Sequence, residues 1–367
     1  MCSSRALILA AVGLLSASCS KPEPLRLGFV SGLSGRHADL GVSSRNGALL
    51  AVERINADGG VNGRPVELVI RDDRQDPEAA RRAVEELVAE GVLAIVGHAT
   101  SSMAEVTVPI VNRERVLMVS PTVSATTFQG KDDWFVMLYP SNDRSARVLV
   151  EHLSRRGEAR RVTILQDLSN SPFTRTWVDA FGEAHARAGG TVLRTISFAS
   201  GNAPSWGALA EQALQPDPDA VLVVANAVDT AALSQQVRKR GSTAHILGTD
   251  WGFTSDVVAQ GGAAMEGARF TLKVDITDAS ARMSRFRRVY TERFARQPDF
   301  AAYLSAEAVQ ILAASLRAAR TREEVREAVL DRVHEGVQGQ VRIDRNGDAH
   351  REVYVMTVRD GRVVRVE

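Results

Sequence analysis

Residues 66–96 read V-E-L-V-I-R-D-D-R-Q-D-P-E-A-A-R-R-A-V-E-E-L-V-A-E-G-V-L-A-I-V, and three elements follow from them. Val66 to Ile70 is an apolar run of strand length. Asp76-Pro77 supplies a helix N-cap and a proline at the first helical position, where a missing N–H loses no partner. Ala80, Ala83, Val84, Leu87 and Val88 then fall on one helical face, and Gly91 ends the helix. Leu93 to Val96 is a second, buried-type strand. A helix between two strands makes a βαβ unit, so the sheet is parallel and covered on both faces.

The same alternation extends outwards. Leu25 to Val30 reads as a strand. It is followed by a Gly/Ser loop and a helix with Ala48, Ala51, Val52 and Ile55 on one face, stopped at Asp58-Gly59-Gly60. Val116 to Val119 is a further strand. The pattern restarts after Tyr139-Pro140. Ser141 or Asn142 caps a helix with Ala146, Leu149, Val150 and Leu153. Strands over Arg161 to Leu165, Val192 to Ser197, Ala220 to Val224 and Ile246 to Gly248 alternate with helices, one carrying Trp177, Ala180, Phe181 and Ala184. Helices are predicted over Ala279 to Phe294, Tyr303 to Arg317 and Thr321 to Val333. Three strands then follow, with Asn346-Gly347 and Asp360-Gly361 as hairpin turns. At roughly 150 residues per domain, 367 residues suggest two domains. No low-complexity linker separates them, which points to short crossovers, a hinge and a cleft.

Hydrophobic residues make up 44% of the chain and charged residues 24%, the balance of a soluble globular protein. Lys+Arg is 45 and Asp+Glu 44, so charge gives no reason to expect nucleic acid or an anionic membrane as the main partner. The two cysteines, Cys2 and Cys19, lie near the N-terminus. The rest of the chain therefore has no disulfide, Cys-ligated zinc or Cys nucleophile.

Arg5 precedes an uncharged run from Ala6 to Ala17. As a helix this run spans about 18 Å, too short for a hydrocarbon core of about 30 Å. Residues 1–18 read as a signal peptide, and Lys21-Pro22-Glu23-Pro24 stops any helix. Leu15-Ser16-Ala17-Ser18-Cys19 resembles the lipobox of bacterial lipoproteins, with Ser16 where the large aliphatic residue normally stands. The expectation is lipidation of Cys19 and a tether over residues 19–24, and cleavage by ordinary signal peptidase is the alternative. Loss of Arg5 leaves equal numbers of basic and acidic residues.

No catalytic constellation stands out. Gly32-Leu33-Ser34-Gly35 lacks the spacing of a nucleophile elbow, and there is no phosphate-binding glycine motif. The seven His show no metal-type pairing, so no metal or cofactor is expected. Asp344 to Asp348 lacks the later Glu of a calcium loop and reads as a β-turn. The strand ends carry a consistent set of small polar loops instead: Ser31 to Gly35, Gly97 to Ser102, Ser120 to Ser124 and Thr249 to Gly252. Ligands of open α/β sheets sit at such ends. Hydroxyls and free N–H groups at helix starts suit a carboxylate, and an acidic residue nearby suits an ammonium. The set fits a small zwitterion.

At these loops the chain resembles the periplasmic leucine/isoleucine/valine-binding proteins, the type I solute-binding proteins of ABC importers. The resemblance runs from about Leu25 to Val366. It rests on S-G-x-x-A-x-x-G (Ser34 to Gly41), A-V-E-R-I-N-A-D-G-G-V-N-G-R (Ala51 to Arg64), D-D-x-x-D-P (Asp72 to Pro77), I-V-G-H-x-x-S-S (Ile95 to Ser102) and V-S-P-T-x-S (Val119 to Ser124). It implies an α/β fold of two doubly wound, Rossmann-like lobes with parallel sheets, joined by three crossovers. The expected lobes are residues 25–142 with 273–349, and 143–272 with 350–367. The resemblance implies that Ser101 and Ser124 hold the ligand's carboxylate. The Thr122 carbonyl, Ser124 and Asp250 would hold its ammonium, with Asp250 one methylene shorter than the family's Glu. Leu40, Ser171 and Asn226 stand where relatives often place aromatic residues around the ligand side chain, and Trp251 is a replacement wall or a hinge-packing residue. This lining puts a branched-chain ligand in doubt and admits a polar amino acid, an amide or an aromatic acid.

The resemblance implies a monomeric, non-enzymatic receptor. It would capture a small amino acid or amino acid-like ligand outside the cytoplasm and deliver it to an ABC permease, touching the membrane only through its lipid anchor. A ligand-sensing partner of a membrane kinase or chemoreceptor is the alternative on the same fold, and an exported enzyme is a third reading.

Overall fold

The computed structural model of the protein describes residues 22–35, 38–202 and 205–366, apart from the side chains of residues 202, 255 and 256. The expected signal peptide and Cys19 lie outside the described residues. Among the described residues, no helix is long and apolar enough to cross a membrane.

The chain begins with β1 (Leu25–Ser31), α1 (Asp39–Ala57), β2 (Val66–Asp72), α2 (Pro77–Ala89), β3 (Ala94–Gly97), α3 (Ser101–Glu114), β4 (Leu117–Ser120) and β5 (Phe135–Met137). Their strands form one parallel sheet in the order β2-β1-β3-β4-β5. Successive side chains of a strand point to opposite faces, and both faces are apolar here. Leu27, Phe29, Val96 and Val119 pack on one side with Ala48 and Ala51 of α1. Val30, Ile95 and Met118 pack on the other with Leu87 of α2 and Val108 of α3. Each such large side chain contributes about 1.5–3 kcal/mol by leaving water. The α2 entry forms as its sequence dictates, with the Asp76 carboxylate accepting the Ala79 N–H at 2.8 Å and Pro77 in the first turn.

The second sheet takes the next stretch: α4 (Asn142–Arg156), β6 (Arg161–Asp167), α5 (Ser171–Arg187), β7 (Thr191–Phe198), α6 (Trp206–Leu214), β8 (Ala220–Val224), α7 (Ala227–Lys239), β9 (His245–Gly248), α8 (Ser255–Gly261) and β10 (Arg269–Leu272). The chain then returns to the first sheet as α9 (Ala281–Phe294), α10 (Phe300–Ser315) and α11 (Arg322–Val329). A small antiparallel sheet follows, made of β11 (Arg332–Gly336), β12 (Gly339–Ile343) and β13 (Ala349–His350). Helices α1 and α10 lie backbone to backbone: a Cβ on Gly47 would sit 2.0 Å from the Ala302 carbonyl oxygen, so that position requires glycine. The hairpin β14 (Tyr354–Arg359) and β15 (Arg362–Arg365) joins the second sheet antiparallel to β10. The order of that sheet is β15-β14-β10-β9-β8-β6-β7.

Strands β5 and β10 are not among the expected ones, and two further differences have local causes. The helix expected over Thr321 to Val333 ends at Val329, because Leu330 is extended and Asp331 is left-handed with φ 53°. Residues from Arg332 then enter β11. The tail holds five strands rather than three. Asn346-Gly347 turns β12 into β13, and Asp360-Gly361 turns β14 into β15.

The segments that pass between the two sheets are tied together. The Tyr139 hydroxyl accepts the Lys273 backbone N–H at 3.3 Å. Arg351 Nε donates to the Leu138 carbonyl at 2.8 Å, and its guanidinium pairs with the buried Glu307 of α10. Burial pulls the Arg351 pKa down to about 10.

Candidate functional site

The loops at the carboxyl ends of both sheets face one another. Leu40, Ala99, Ser101 and Thr122 line the first side of a small cavity, and Asn170, Phe173, Asp250 and Trp251 line the second. Tyr139 of the crossover and Phe300 of α10 close it. Its volume is about 10 Å³, room for one water, so an amino-acid-sized molecule enters only when the two sides part. A larger groove of about 720 Å³ lies between α1 and α9, away from the strand ends. It lacks convergent polar loops, whereas the small cavity holds them.

On the first side, α3 starts at Ser101 and its N-cap residue Thr100 makes no side-chain cap bond. The Ser101 hydroxyl is buried, lines the cavity and has no hydrogen-bond partner. A buried polar group without a partner carries a penalty of about 1–3 kcal/mol, so this one needs an explanation. Thr122 spends its hydroxyl on the Ala99 carbonyl at 2.7 Å, tying the two loops together. Ser120 donates to the His98 carbonyl at 2.8 Å and accepts the Val123 N–H at 3.0 Å. Beneath the loop, His98 Nδ1 lies 2.7 Å from Asp73 Oδ2, and both side chains are buried. Gly97 has φ +147°, and a Cβ there would stand 2.2 Å from the Val30 carbonyl oxygen.

The second side reaches across. Asn170 Oδ1 accepts the Ser102 N–H at 3.1 Å and the Ser102 hydroxyl at 3.0 Å, capping α3 from the opposite sheet. Asp167 holds this loop by accepting from Ser169 N at 2.9 Å and Ser169 Oγ at 2.7 Å. A second bridge runs from the Thr254 hydroxyl to Asp39 Oδ2 at 2.7 Å. Phe173 meets Trp251 edge to face at 5.8 Å, and Tyr139 stacks on Phe300 at 5.3 Å.

Asp250 is engaged from within. Lys273 Nζ donates to Asp250 Oδ2 at 3.0 Å, and Trp251 N donates to Oδ1 at 3.1 Å. The Tyr139 hydroxyl, which accepts the Lys273 backbone N–H, is near enough to this carboxylate to feel its charge. Lys273 and Asp250 are each 1% exposed. Burial lowers the Lys273 pKa, and the Asp250 charge and hydrogen bond oppose that shift. Burial and the Asp250 charge raise the Tyr139 pKa well above its usual value.

Of the eight expected site residues, Leu40, Ser101, Thr122, Asp250 and Trp251 line the cavity, while Ser124, Ser171 and Asn226 are not among the lining residues. Ser124 is buried next to the Thr122 loop, its carbonyl accepting Asn142 N at 2.8 Å and its hydroxyl unpartnered. Ser171 opens α5. Asn226 caps α7, accepting Asp229 N at 3.0 Å and donating to Asp229 Oδ2 at 2.9 Å. The sequence reading missed the aromatic walls Tyr139, Phe173 and Phe300, the bridge Asn170 and the buried Lys273.

Two α/β units whose polar strand-end loops face one another across a cavity define a two-lobed binding protein. The chain belongs to the periplasmic binding protein family, whose model matches residues 24–362. It is 26% identical to Leu/Ile/Val-binding protein homolog 3 of Brucella melitensis, over 73% of this chain and 72% of that one. It superposes on the leucine-binding protein LivK of Thermotoga maritima with a TM-score of 0.85 at 26% identity, covering 94% and 98% of the two chains. A Rhodopseudomonas palustris solute-binding protein in complex with 3,4-dihydroxybenzoic acid shares the fold, with a TM-score of 0.85 at 18% identity over 94% and 96%. The family's name describes binding proteins located outside the cytoplasm, and the relatives above are named for what they bind.

Proposed function

We infer that this chain is a monomeric extracytoplasmic receptor, anchored through Cys19. It closes two lobes, residues 25–142 with 273–349 and 143–272 with 350–367, on a small acid of amino-acid or aromatic-acid size. It then presents that ligand to an ABC permease. The observation that carries the reading is the buried, unpartnered Ser101 hydroxyl at the start of α3, aimed into a cavity between the sheets. A hydroxyl and a helix N-terminus together receive an anion. Relatives whose names specify amino acids, and fold neighbours holding benzoates, support the size and charge of the ligand. The cross-lobe bonds of Ser102 with Asn170 and of Thr254 with Asp39 support closure as the signal read by the permease.

The test is a thermal-shift screen of small monocarboxylates against the purified chain, followed by calorimetry on Ser101→Ala. A ligand that stabilises the wild type and loses affinity in Ser101→Ala supports the reading. A ligand bound equally by both places the carboxylate elsewhere.

A further inference from the structure

Among the described residues that line the cavity, Asp250 is the only carboxylate. On a site built for a zwitterion, that carboxylate would be left open for the ligand's ammonium. Here it is not open. Lys273 follows β10 and reaches Asp250 Oδ2 at 3.0 Å from behind the cavity wall, with its Nζ 3.9 Å from the centre of the Tyr139 ring. Trp251 N–H donates to Asp250 Oδ1 at 3.1 Å, so each carboxylate oxygen already has a donor within the protein. The other carboxylate whose charge reaches Lys273 is Asp143, which is bonded to Ser141 and to Arg147 at 2.7 Å. The protein thus supplies, from behind the wall, its own ammonium to the carboxylate that a ligand's would pair with. The lining that remains consists of apolar and aromatic side chains, two hydroxyl residues and one amide.

We propose that Lys273 stands in for the ligand's α-ammonium, so that the cavity selects a monocarboxylate with an apolar or aromatic body and no α-amino group. This rests on the receptor reading above and narrows its ligand class. An α-ammonium entering the cavity meets a carboxylate already neutralised at 3.0 Å and loses its hydration without gaining a counter-charge. A desamino acid leaves the Asp250–Lys273 pair intact and offers its carboxylate to Ser101 and α3. The four aromatic rings of Tyr139, Phe173, Trp251 and Phe300 then surround its apolar body.

Matched pairs of ligands test this by calorimetry: 3-phenylpropanoate against L-phenylalanine, and 4-methylpentanoate against L-leucine. The wild type is expected to bind the desamino member of a pair at least about tenfold more tightly. Lys273→Met frees Asp250 and is expected to move the preference at least about tenfold towards the amino acid. Asp250→Asn/Lys273→Met removes both charges without stranding either, and is expected to favour the amino acid at least about tenfold less than Lys273→Met does. A wild type that prefers the amino acids overturns the proposal and leaves the receptor reading standing. Binding of neither member of either pair overturns both.

Discussion

Replacing Asp250 by Ala strands the Lys273 ammonium in the protein interior. At 3.0 Å two unit charges attract by about 5.5 kcal/mol at an effective dielectric of about 20. Removing one partner of a buried pair destabilises by about 3–5 kcal/mol, because the remaining charge has no compensation. Each kcal/mol moves the Tm of a unit of 150–250 residues by about 2–4 °C, so Asp250→Ala lowers Tm by about 6–20 °C. The deficit also depends on pH. The Lys273 pKa already lies below its ordinary 10.5 because burial disfavours its charge, and Asp250 pushes it back up. Without Asp250 it falls further. Between that lowered value and 10.5 the unfolded chain holds a proton that the folded chain has released, so stability rises with pH across this window. The Tm gap between variant and wild type is therefore widest at low pH and narrows as pH rises. Calorimetric unfolding of wild type, Asp250→Ala, Lys273→Met and the double variant Asp250→Ala/Lys273→Met measures the coupling. The double variant recovers most of the loss, since a buried pair exchanged for neutral groups is often close to neutral. A single-variant drop under about 2 °C, or a gap that widens with pH, refutes the reasoning.

Ser101→Ala removes a hydroxyl that has no partner within the protein, so it leaves unliganded stability unchanged or raised, while a carboxylate ligand binds about 10–150-fold more weakly by calorimetry. Asn170→Ala removes the cap that crosses to α3, and stopped-flow fluorescence from Trp251 shows a faster ligand off-rate with a smaller change in on-rate. Asp299 caps α10 through Ala301 N and Ala302 N, and burial raises its pKa to about 6. The folded chain then binds a proton that the unfolded chain has lost between about pH 4 and 6, so stability falls as pH rises through that window. Asp299→Asn flattens this part of the pH–Tm curve.

Periodicity carried the first sheet well. The capped helix from Pro77 and its flanking strands stand where the spacing of Ala80, Ala83, Val84 and Leu87 puts them, because both faces of a parallel sheet demand that pattern. Strand β10 was not legible: four residues, R-F-T-L, run into Lys273, and lysine is rarely buried. The buried cation that pairs with Asp250 went with it. A signal existed, since the chain uses Lys only four times and one of them follows an apolar strand. Asn226 was readable as a cap from Asn226-Ala227-Val228-Asp229, a polar N-cap three residues ahead of an acid, and the family resemblance obscured that local role. Tyr139, Phe173 and Phe300 come from a crossover and two helix starts far apart in sequence, so only the topology brings them together.

In the proposed receptor a ligand's carboxylate is held between the lobes at Ser101 and the start of α3. A crystal structure of the chain with the tightest monocarboxylate from the screen tests it most directly. The carboxylate is expected within hydrogen-bond distance of the Ser101 hydroxyl, with the Lys273–Asp250 pair unbroken behind it. A ligand seated in the groove between α1 and α9, or one that displaces Lys273 from Asp250, contradicts it.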